Sequence, residues 1–446
     1  MTNVAIALIL SLASTSALAI AQAGVLNPTR AQIDDIVSSH AAAGDFSGTV
    51  LVAREGKILY ERAFGLANRE WDVPNDLQTR FEIGSMTKQF TALLVLQFVN
   101  EGKINLDGHI SDYLPYYRKD TGTRVSVREL LSHTSGIPNF ISAPGFLDGP
   151  ASRIRYSIQE FAEKFCSGDL LFEPGTKFDY SNSGYFLLGA ILEQVSDESY
   201  EQLLKERIFD PLGMKDSGYA HSETILPHRA AGYERSPDGF RNARYYDMSI
   251  PFAAGALYST VGDLFLWDQA LYGTRLLPAN LRDLLFKPNL DNYGFGWGIL
   301  VPKPGSPYAG EAIPMHGGAI FGFQSLIQRI PEHKELIVLL DNSDSPKLLD
   351  IALEIRGVLA KAASQNEYAT PSWTSRLLRG WLGSCSSRLR YFYQGRVKGR
   401  SAADVRQPLA GQRVDVRAVR VQLRPIEPRG NHARGQARVQ HCSQLH

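Results

Sequence analysis

The chain has few cysteines and lacks several motifs that commonly identify metal sites or Ser-His-Asp triads. Only 3 of its 446 residues are cysteine, too few for a disulfide framework, so one bridge is the most that we expect. No Gly-x-Ser-x-Gly nucleophile elbow occurs, and we therefore interpret His133, which has Ser132 and Ser135 close by, as structural. Paired-histidine and cysteine-cluster motifs are also missing, so the sequence predicts neither a metal nor a cofactor.

Charged residues are missing from the first 29 positions. Val4 to Leu12 forms an apolar core of signal-peptide length, and small residues follow it, with possible cleavage sites after Ala19 or Ala23. We therefore expect residues 1–23 to be a signal peptide and the mature protein to be periplasmic or secreted. An uncleaved anchor is the alternative, although the apolar part is short for a span, and no stable membrane span is expected elsewhere.

The net charge of +1 conceals an uneven distribution. Residues 376–446 contain 14 arginines and 1 lysine against 3 acidic residues, a net charge of +12, which leaves −11 for the remainder. Residues 363–446 are therefore predicted to form a basic tail that is either disordered or not natively selected, as after a shifted reading frame. No nucleic-acid partner is expected, because an exported protein has little occasion to meet one.

One serine in the chain is followed three residues later by a lysine: Ser85 and Lys88, within Phe81–Phe90. The apolar run after them predicts a buried helix, and residues three apart share one helical face, so the amine can touch the hydroxyl. A serine hydroxyl needs such a neighbour to take its proton before it can act as a nucleophile. The free N–H groups at a helix start would also favour an oxyanion.

Two further segments add polar groups of the same kind. Glu173–Tyr185 contains Tyr180 and Asn182 in a loop rich in glycine, proline and asparagine ahead of an apolar helix. Met315–Phe323 contains His316, Gly317 and Gly318, which we expect to precede an alternating strand, at a position where a ligand lies close against the backbone.

In this order, the three segments resemble the motifs of the penicillin-recognising serine hydrolases: Ser-x-x-Lys, Tyr-x-Asn, and Lys-Thr-Gly or its histidine variants. The most similar branch holds class C β-lactamases, DD-carboxypeptidases, D-aminopeptidases and esterases. Glu129–Ile137 and Ala254–Leu264 also look like signatures of this family. The resemblance covers approximately Phe46 to Ala360.

The resemblance implies roles for the matching residues. Ser85 would be acylated, while Lys88 and Tyr180 would share the proton transfers, and which of them is the base stays open. Asn182 would contact a substrate amide, because it can donate and accept hydrogen bonds. The backbone N–H groups of Ser85 and Ala319 would form the oxyanion hole, a contribution of roughly 3 to 4 kcal/mol per donor.

The departure from the β-lactamase pattern is His316, where a lysine is usual. Histidine is mostly neutral above its ordinary pKa of about 6.5, so it binds a substrate carboxylate less strongly than a lysine does. Gly317 and Gly318 stand where the pattern has a hydroxyl residue and glycine, which removes another donor. Both changes favour a peptidase, amidase or esterase over a dedicated β-lactamase.

The element order predicts an α+β fold: an antiparallel sheet flanked by terminal helices, with an inserted, mainly helical region. Helices are expected at Thr29–Ala43 and Pro346–Lys361, a hairpin at Gly48–Gly65, and strands again from about Gly296. The hydrolase domain is placed at residues 24–362, with its sheet part at about 29–85 and 290–362 and its helical part at about 86–289. The active site is expected where the two parts meet.

The leading hypothesis is an exported serine hydrolase that forms an acyl-enzyme on Ser85 and cleaves a D-amino-acid peptide, a β-lactam or a small ester. The alternative is a penicillin-binding sensor or scaffold that is acylated without turnover. The expected partner is a small-molecule or peptide substrate, and the sequence leaves both the leaving group and the oligomeric state open.

Overall fold

The computed structural model describes residues 28–367, where helices combine with antiparallel strands. The strands in this part of the chain are β1 (Gly48–Arg54), β2 (Lys57–Phe64), β3 (Leu66–Asn68), β4 (Val73–Pro74), β5 (Phe81–Glu82), β6 (Gly218–Tyr219), β7 (Tyr233–Ser236), β8 (Gly239–Asn242), β9 (Leu257–Ser259), β10 (Gly298–Leu300), β11 (Ile313–Ile320), β12 (Phe323–Ile330) and β13 (Glu335–Asp341).

The α-helices of the same residues begin and end as follows: α1 (Pro28–Ala42), α2 (Thr87–Asn100), α3 (Ile110–Tyr113), α4 (Lys119–Gly122), α5 (Val127–Leu131), α6 (Ile158–Phe165), α7 (Asn182–Ser196), α8 (Tyr200–Leu204), α9 (Asp210–Leu212), α10 (Phe252–Gly255), α11 (Val261–Ala270), α12 (Ala279–Phe286) and α13 (Leu348–Glu367). A short 3-10 turn, Gly84–Met86, leads into α2.

The main sheet has six antiparallel strands in the order β10-β11-β12-β13-β1-β2. The central strands β1 and β13 are apolar along most of their length, as expected for strands covered on both faces. They pair in register, with Leu51 opposite Val338. The first strand of the described chain is thus held beside the last one.

Terminal helices α1 and α13 cover one face of this sheet. Alternate residues of β1 and β13 point to that side, since successive side chains of a strand face opposite directions. The resulting core contains Ile33, Val37, Val50, Val52, Ile337, Leu339, Ile351 and Ile355. Leu51, Val338 and Leu340 face the other way and join the larger core shared with the helical region.

Helices α2 and α7 form the centre of the helical region. Both are apolar around nearly their whole circumference, which is typical of helices enclosed by other elements. Their buried residues belong to the same core as Leu51 and Val338. Since α2 begins just after Ser85 and α7 begins at Asn182, the two helix starts bring two of the predicted motifs together.

A buried ion pair connects the helical region to the sheet. Arg329 of β12 donates from Nε to the carboxylate of Asp268 at the end of α11. Its guanidinium also lies 4.7 Å from the centre of the Tyr272 ring and 5.1 Å from that of Phe286. Both charged side chains are almost inaccessible to solvent, 2% for Arg329 and 0% for Asp268.

The predicted α+β class is confirmed, with an antiparallel sheet and terminal helices. Helix α1 and the β1–β2 hairpin lie within one residue of their predicted bounds. The expectation for His316, Gly317 and Gly318 was wrong in one respect: they lie inside β11 and not ahead of a strand. Pairing of β11 with β10 and β12 outweighs the weak strand preference of glycine.

The predicted signal peptide, residues 1–23, lies outside the described residues, as does nearly all of the basic tail. Between residues 28 and 367, no helix is both long and apolar enough to cross a membrane. Cys166, the cysteine that the described part contains, is buried and free.

Candidate active site

Ser85 and Lys88 face each other across one turn at the start of α2. Nζ of Lys88 lies 3.1 Å from Oγ of Ser85, a hydrogen-bonding distance. Ser85 is partly exposed in the 3-10 turn, whereas Lys88 is fully buried. The serine oxygen is thus open to a substrate while the amine behind it is shielded from water.

Two other acceptors hold the amine of Lys88. Nζ donates to Oδ1 of Asn182 at 2.8 Å and to the backbone oxygen of Ala254 at 2.7 Å. Ala254 lies in α10, a four-residue helix whose last carbonyls have no partner within the helix. No carboxylate forms an ion pair with Lys88 among residues 28–367. Burial alone lowers the pKa of Lys88 well below its ordinary value of 10.5.

Tyr180 completes the group. The centre of its ring lies 4.9 Å from Nζ of Lys88, and its buried hydroxyl has no hydrogen bond of ordinary geometry among the described residues. Burial raises the pKa of the phenol, an effect that the nearby Ser85 hydroxyl partly offsets. The structure therefore brings together the hydroxyl, amine and phenol of Ser85, Lys88 and Tyr180.

Asn182 is fixed by the protein on both sides of its amide. Oδ1 accepts from Lys88, and Nδ2 donates to Oδ1 of Asn139 at 3.3 Å. Asn139 also accepts from the backbone N–H of Asn182 and donates to the carbonyl of Tyr180. Since an amide nitrogen carries two donors, one N–H of Asn182 is still available to a substrate carbonyl.

Strand β11 passes directly over the start of α2, and glycine makes this approach possible. A Cβ at position 318 would lie 1.9 Å from the carbonyl oxygen of Ile83, so Gly318 could not be replaced without displacing backbone. Gly84, at φ +50°, is also close to its neighbour: a Cβ there would lie 2.8 Å from the backbone nitrogen of Ala319. The N–H groups of Ser85 and Ala319 therefore belong to adjoining segments.

His316 is buried in β11 and both of its ring nitrogens have partners. Nε2 lies 2.9 Å from the hydroxyl of Tyr293, and Nδ1 lies 2.6 Å from the carbonyl oxygen of Gly317. Burial lowers the pKa of His316 to about 4, and the charge of Lys88 adds to this effect. The imidazole is consequently neutral near pH 7.

His133 packs against the ring of Tyr180, in agreement with a structural role for this histidine. Its Nδ1 accepts the backbone N–H of Ser181 at 3.1 Å, and its ring centre lies 4.2 Å from that of Tyr180. Burial lowers the pKa of His133 well below its ordinary value, so the ring is neutral. It supports the loop that carries Tyr180 and has no contact with Ser85.

A pocket of about 210 Å³ extends from the end of β11, beyond Ala319. Apolar and aromatic side chains share its wall with one acid, Glu82, and two arginines, Arg229 and Arg244. Burial raises the pKa of Glu82, while Arg229, 3.5 Å away, lowers it. The lining includes Glu82, Arg229, Tyr246, Met248, Ile320 and Phe321.

Three contributors to the site were not identified from the sequence. Ala254 acts through a backbone carbonyl, which leaves no side-chain signal, although its segment resembled a family signature. Asn139 follows the Glu129–Ile137 signature and acts through Tyr180 and Asn182. Tyr293 precedes β10, and nothing in its local sequence indicates that it faces His316. No cluster of three metal-binding side chains occurs within the described residues.

The comparisons with known proteins identify a family. Residues 33–360 match the model of the family described as Beta-lactamase. Penicillin-binding protein 4* of Bacillus subtilis (strain 168) is 31% identical over 320 residues, which cover 67% of this chain and 68% of that protein.

Two solved structures share the fold. The penicillin binding protein from Bacillus halodurans has a TM-score of 0.65 at 28% identity, covering 75% of this chain and all of that one. The D-amino acid amidase from Ochrobactrum anthropi SV3, complexed with D-phenylalanine, has a TM-score of 0.66 at 26% identity, covering 76% of this chain and all of that one.

Proposed function

Because the chain belongs to the beta-lactamase family and is a serine hydrolase, we propose that it cleaves small amides or esters through an acyl-enzyme on Ser85. The observation that carries this proposal is the buried amine of Lys88, 3.1 Å from the serine oxygen and without a carboxylate partner in residues 28–367. An amine in this setting is ready to accept a proton.

Lys88 is the better candidate for the general base. Its lowered pKa favours a neutral amine, whose two N–H groups match the two acceptors Asn182 and Ala254, which leaves the lone pair for the hydroxyl of Ser85. The raised pKa of Tyr180 keeps the phenol protonated at neutral pH, so it can donate but cannot act as the base.

The reaction then proceeds in two balanced steps. Oγ of Ser85 bonds to the substrate carbonyl carbon as its proton passes to Nζ of Lys88. The C–N or C–O bond breaks as the leaving group receives that proton through the hydroxyl of Tyr180. In the second step water attacks the ester on Ser85, and its proton returns to the serine oxygen as the acid is released.

Two features stabilise the charges that form on the way. We assign the backbone N–H groups of Ser85 and Ala319, which lie on adjoining segments, as the donors to the oxyanion. Each such donor contributes roughly 3 to 4 kcal/mol in comparable enzymes. The transient ammonium of Lys88 lies over the faces of two tyrosine rings, at 4.9 Å from Tyr180 and 5.5 Å from Tyr185.

The pocket beyond Ala319 is suited to the acyl part of the substrate. Ile320, Phe321 and Tyr246 offer apolar area, while Glu82 and the arginines at 229 and 244 offer charged groups of both signs. An amino-acid acyl group combines a side chain with a polar amine, and the similarity to a D-amino acid amidase supports this class. We therefore propose D-amino-acid amides and esters as the first substrates to test.

The test is covalent labelling followed by turnover. A fluorescent fluorophosphonate should add one label to the wild-type protein, on the peptide that contains Ser85, and none to Ser85→Ala. Labelling that persists in Ser85→Ala would overturn the assignment of the nucleophile. With D-amino-acid amides and esters, many product molecules per protein should appear; a single equivalent of product would indicate a sensor that is acylated without turnover.

We further propose that the protein is exported, on the basis of the signal-peptide pattern in residues 1–23. Fractionation of the source cells should recover the activity outside the inner membrane, with a mature amino terminus after Ala19 or Ala23. Activity that stays in the cytoplasm, with Met1 retained, would contradict export.

A further inference from the structure

Burial keeps His316 neutral, and its two hydrogen-bond partners fix which ring nitrogen carries the proton. The carbonyl of Gly317 can only accept a hydrogen bond, so Nδ1 must carry the ring proton. Nε2 is then the acceptor, and the hydroxyl of Tyr293 donates to it at 2.9 Å. Both nitrogens are therefore occupied before any substrate arrives.

Tyr293 is itself held in place by its surroundings. It is buried, at 6% exposure, and its ring packs 4.7 Å from the centre of His133 and 5.7 Å from that of Phe178. Its backbone forms a bridge with Gly298 at the start of β10. The hydroxyl is consequently fixed toward His316 and is not free to rotate toward a ligand.

The titratable groups around the imidazole also oppose a positive charge on it. Lys88, when it is protonated, disfavours a proton on His316, while His133 is neutral and the phenols Tyr180 and Tyr293 have raised pKa values and stay neutral. No carboxylate forms an ion pair with His316 among the described residues, whereas several other histidines have one. The carbonyl of Gly317 is the partner that favours the charged form, and burial outweighs it.

The position of His316 along β11 places it on the leaving-group side. Ala319 marks the oxyanion position, and the acyl pocket begins just beyond it at Ile320. His316 lies three residues in the opposite direction, about 10 Å along a strand that rises about 3.3 Å per residue. A group that departs from the carbonyl on this side meets the region around His316.

We propose that Tyr293 determines leaving-group specificity: its hydroxyl occupies Nε2 of His316, so the site selects substrates whose leaving group carries no carboxylate. Neutral amides and simple esters then fit, while substrates such as peptides ending in a free D-amino acid are disfavoured. The inference rests on the proposed function, since it concerns the group that leaves Ser85. Tyr293 acts through His316 and is a positioning residue, not a catalytic one.

The experiment uses two esters with the same acyl group, a phenyl ester and the corresponding meta-carboxyphenyl ester. The ratio of kcat/KM for the carboxylated over the neutral ester is measured from pH 5.5 to 8.5 in four variants of the full chain: wild type, Tyr293→Phe, His316→Lys and Tyr117→Phe. Tyr117→Phe is the matched control, because Tyr117 is similarly buried and its hydroxyl donates to the carbonyl of Cys166, remote from His316 in the hydrogen-bond network.

The expected ratio for the wild type is below one. His316→Lys should raise it about tenfold or more, since a hydrogen bond to a charged group contributes about 1.5 to 3 kcal/mol. Tyr293→Phe should raise it about threefold at neutral pH and further as the pH falls, because an unoccupied Nε2 takes up a proton more readily. Tyr117→Phe should leave it unchanged.

Three outcomes would overturn the proposal. These are a wild-type ratio near or above one, a ratio in Tyr293→Phe that follows the wild type at every pH, and no response in His316→Lys. Fluorophosphonate labelling of Ser85 in each variant shows that the site is intact. If the wild type itself is not labelled, the proposed function is wrong, and the role of Tyr293 in leaving-group specificity falls with it. If the wild type is labelled and one of the three outcomes is seen, the role of Tyr293 alone is wrong.

Discussion

Two buried basic side chains, in two regions of the molecule, differ in whether they keep their charge. At the junction between α11 and β12, Arg329 faces the carboxylate of Asp268. In the cleft, Lys88 faces only uncharged oxygens, those of Ser85, Asn182 and Ala254. Both side chains are almost inaccessible to water.

The difference lies in how each region compensates the loss of hydration. A guanidinium keeps its charge at any ordinary pH, so it requires a counter-charge when buried. Burial raises the pKa of Asp268, and Arg329 lowers it again; we treat the pair as ionised because the arginine stays charged. An amine can instead release its proton, and Lys88 thereby becomes a base. The junction is stabilised by pairing, whereas the cleft gains reactivity from the absence of pairing.

The largest effect is expected in the cleft. Lys88→Met keeps the length of the side chain and removes the amine, so kcat/KM should fall about 10³-fold or more, within the range of lost general-base catalysis. The unfolding free energy should change less than in Asp268→Asn. Removing the amine abolishes the cost of burying it away from water, and this gain offsets the hydrogen bonds lost at Asn182 and Ala254. Steady-state kinetics and urea unfolding measure both quantities. Retention of a tenth of the activity would assign the base to another group.

At the junction, the expected effect is on stability. Asp268→Asn leaves Arg329 charged and unpaired in the core, and the unfolding free energy should fall by about 3 to 5 kcal/mol. Activity of the protein that stays folded at low temperature should change little, because the pair does not contact the cleft. Asp268→Asn with Arg329→Met should recover most of the loss. If Asp268→Asn alone is as stable as the wild type, the ion pair contributes nothing to the unfolding free energy.

The pH dependence distinguishes the two basic side chains further. Since burial lowers the pKa of Lys88, the reactive neutral form exists at a pH well below the ordinary lysine value of 10.5. The rate should therefore be level through the alkaline range and fall roughly tenfold per pH unit once the pH is below the pKa of Lys88. A rate that climbs steadily to pH 10 would mean that the amine has its ordinary pKa.

The smallest effect is expected for an exposed pair. Arg124 and Glu173 lie 2.6 Å apart, as close as many buried pairs, but their side chains are 47% and 68% exposed. Water already solvates both charges, so Arg124→Ala should change the unfolding free energy by less than about 1 kcal/mol. Thermal melting of Arg124→Ala and Asp268→Asn under the same conditions compares the two losses of stability. If Arg124→Ala loses as much unfolding free energy as Asp268→Asn, the contribution of an ion pair is decided by the pairing and not by its burial.

Local patterns in the sequence were sufficient for much of the fold. Helix α1, the β1–β2 hairpin and the buried helix after Ser85 follow from periodicity and turn residues, which depend on neighbours along the chain. Strand β11 did not follow from such patterns, because its glycines are poor strand formers and only pairing with distant strands holds them extended. The small sheet of β5, β9 and β6 could not be predicted either, because its strands also pair across long separations in the sequence.

The candidate site divides in the same way. Ser85, Lys88 and Tyr180 carry reactive groups in recognisable spacings, so they could be named from the sequence. The partners that set their chemistry could not be named, because they depend on tertiary contacts. The carbonyl of Ala254 has no side-chain signal, and the hydroxyl of Tyr293 meets His316 only after β10 and β11 pair.

The pairing of β1 with β13 has a consequence for biosynthesis. Gly48 lies opposite Asp341, and Ala319 follows Ser85 by more than two hundred residues. At ordinary translation speeds, the nucleophile emerges from the ribosome on the order of ten to fifty seconds before the strand that completes its oxyanion donors. A nascent chain arrested before Ile313 should therefore be inert toward a serine-directed probe, so the cell makes no active hydrolase until β11 has been synthesised.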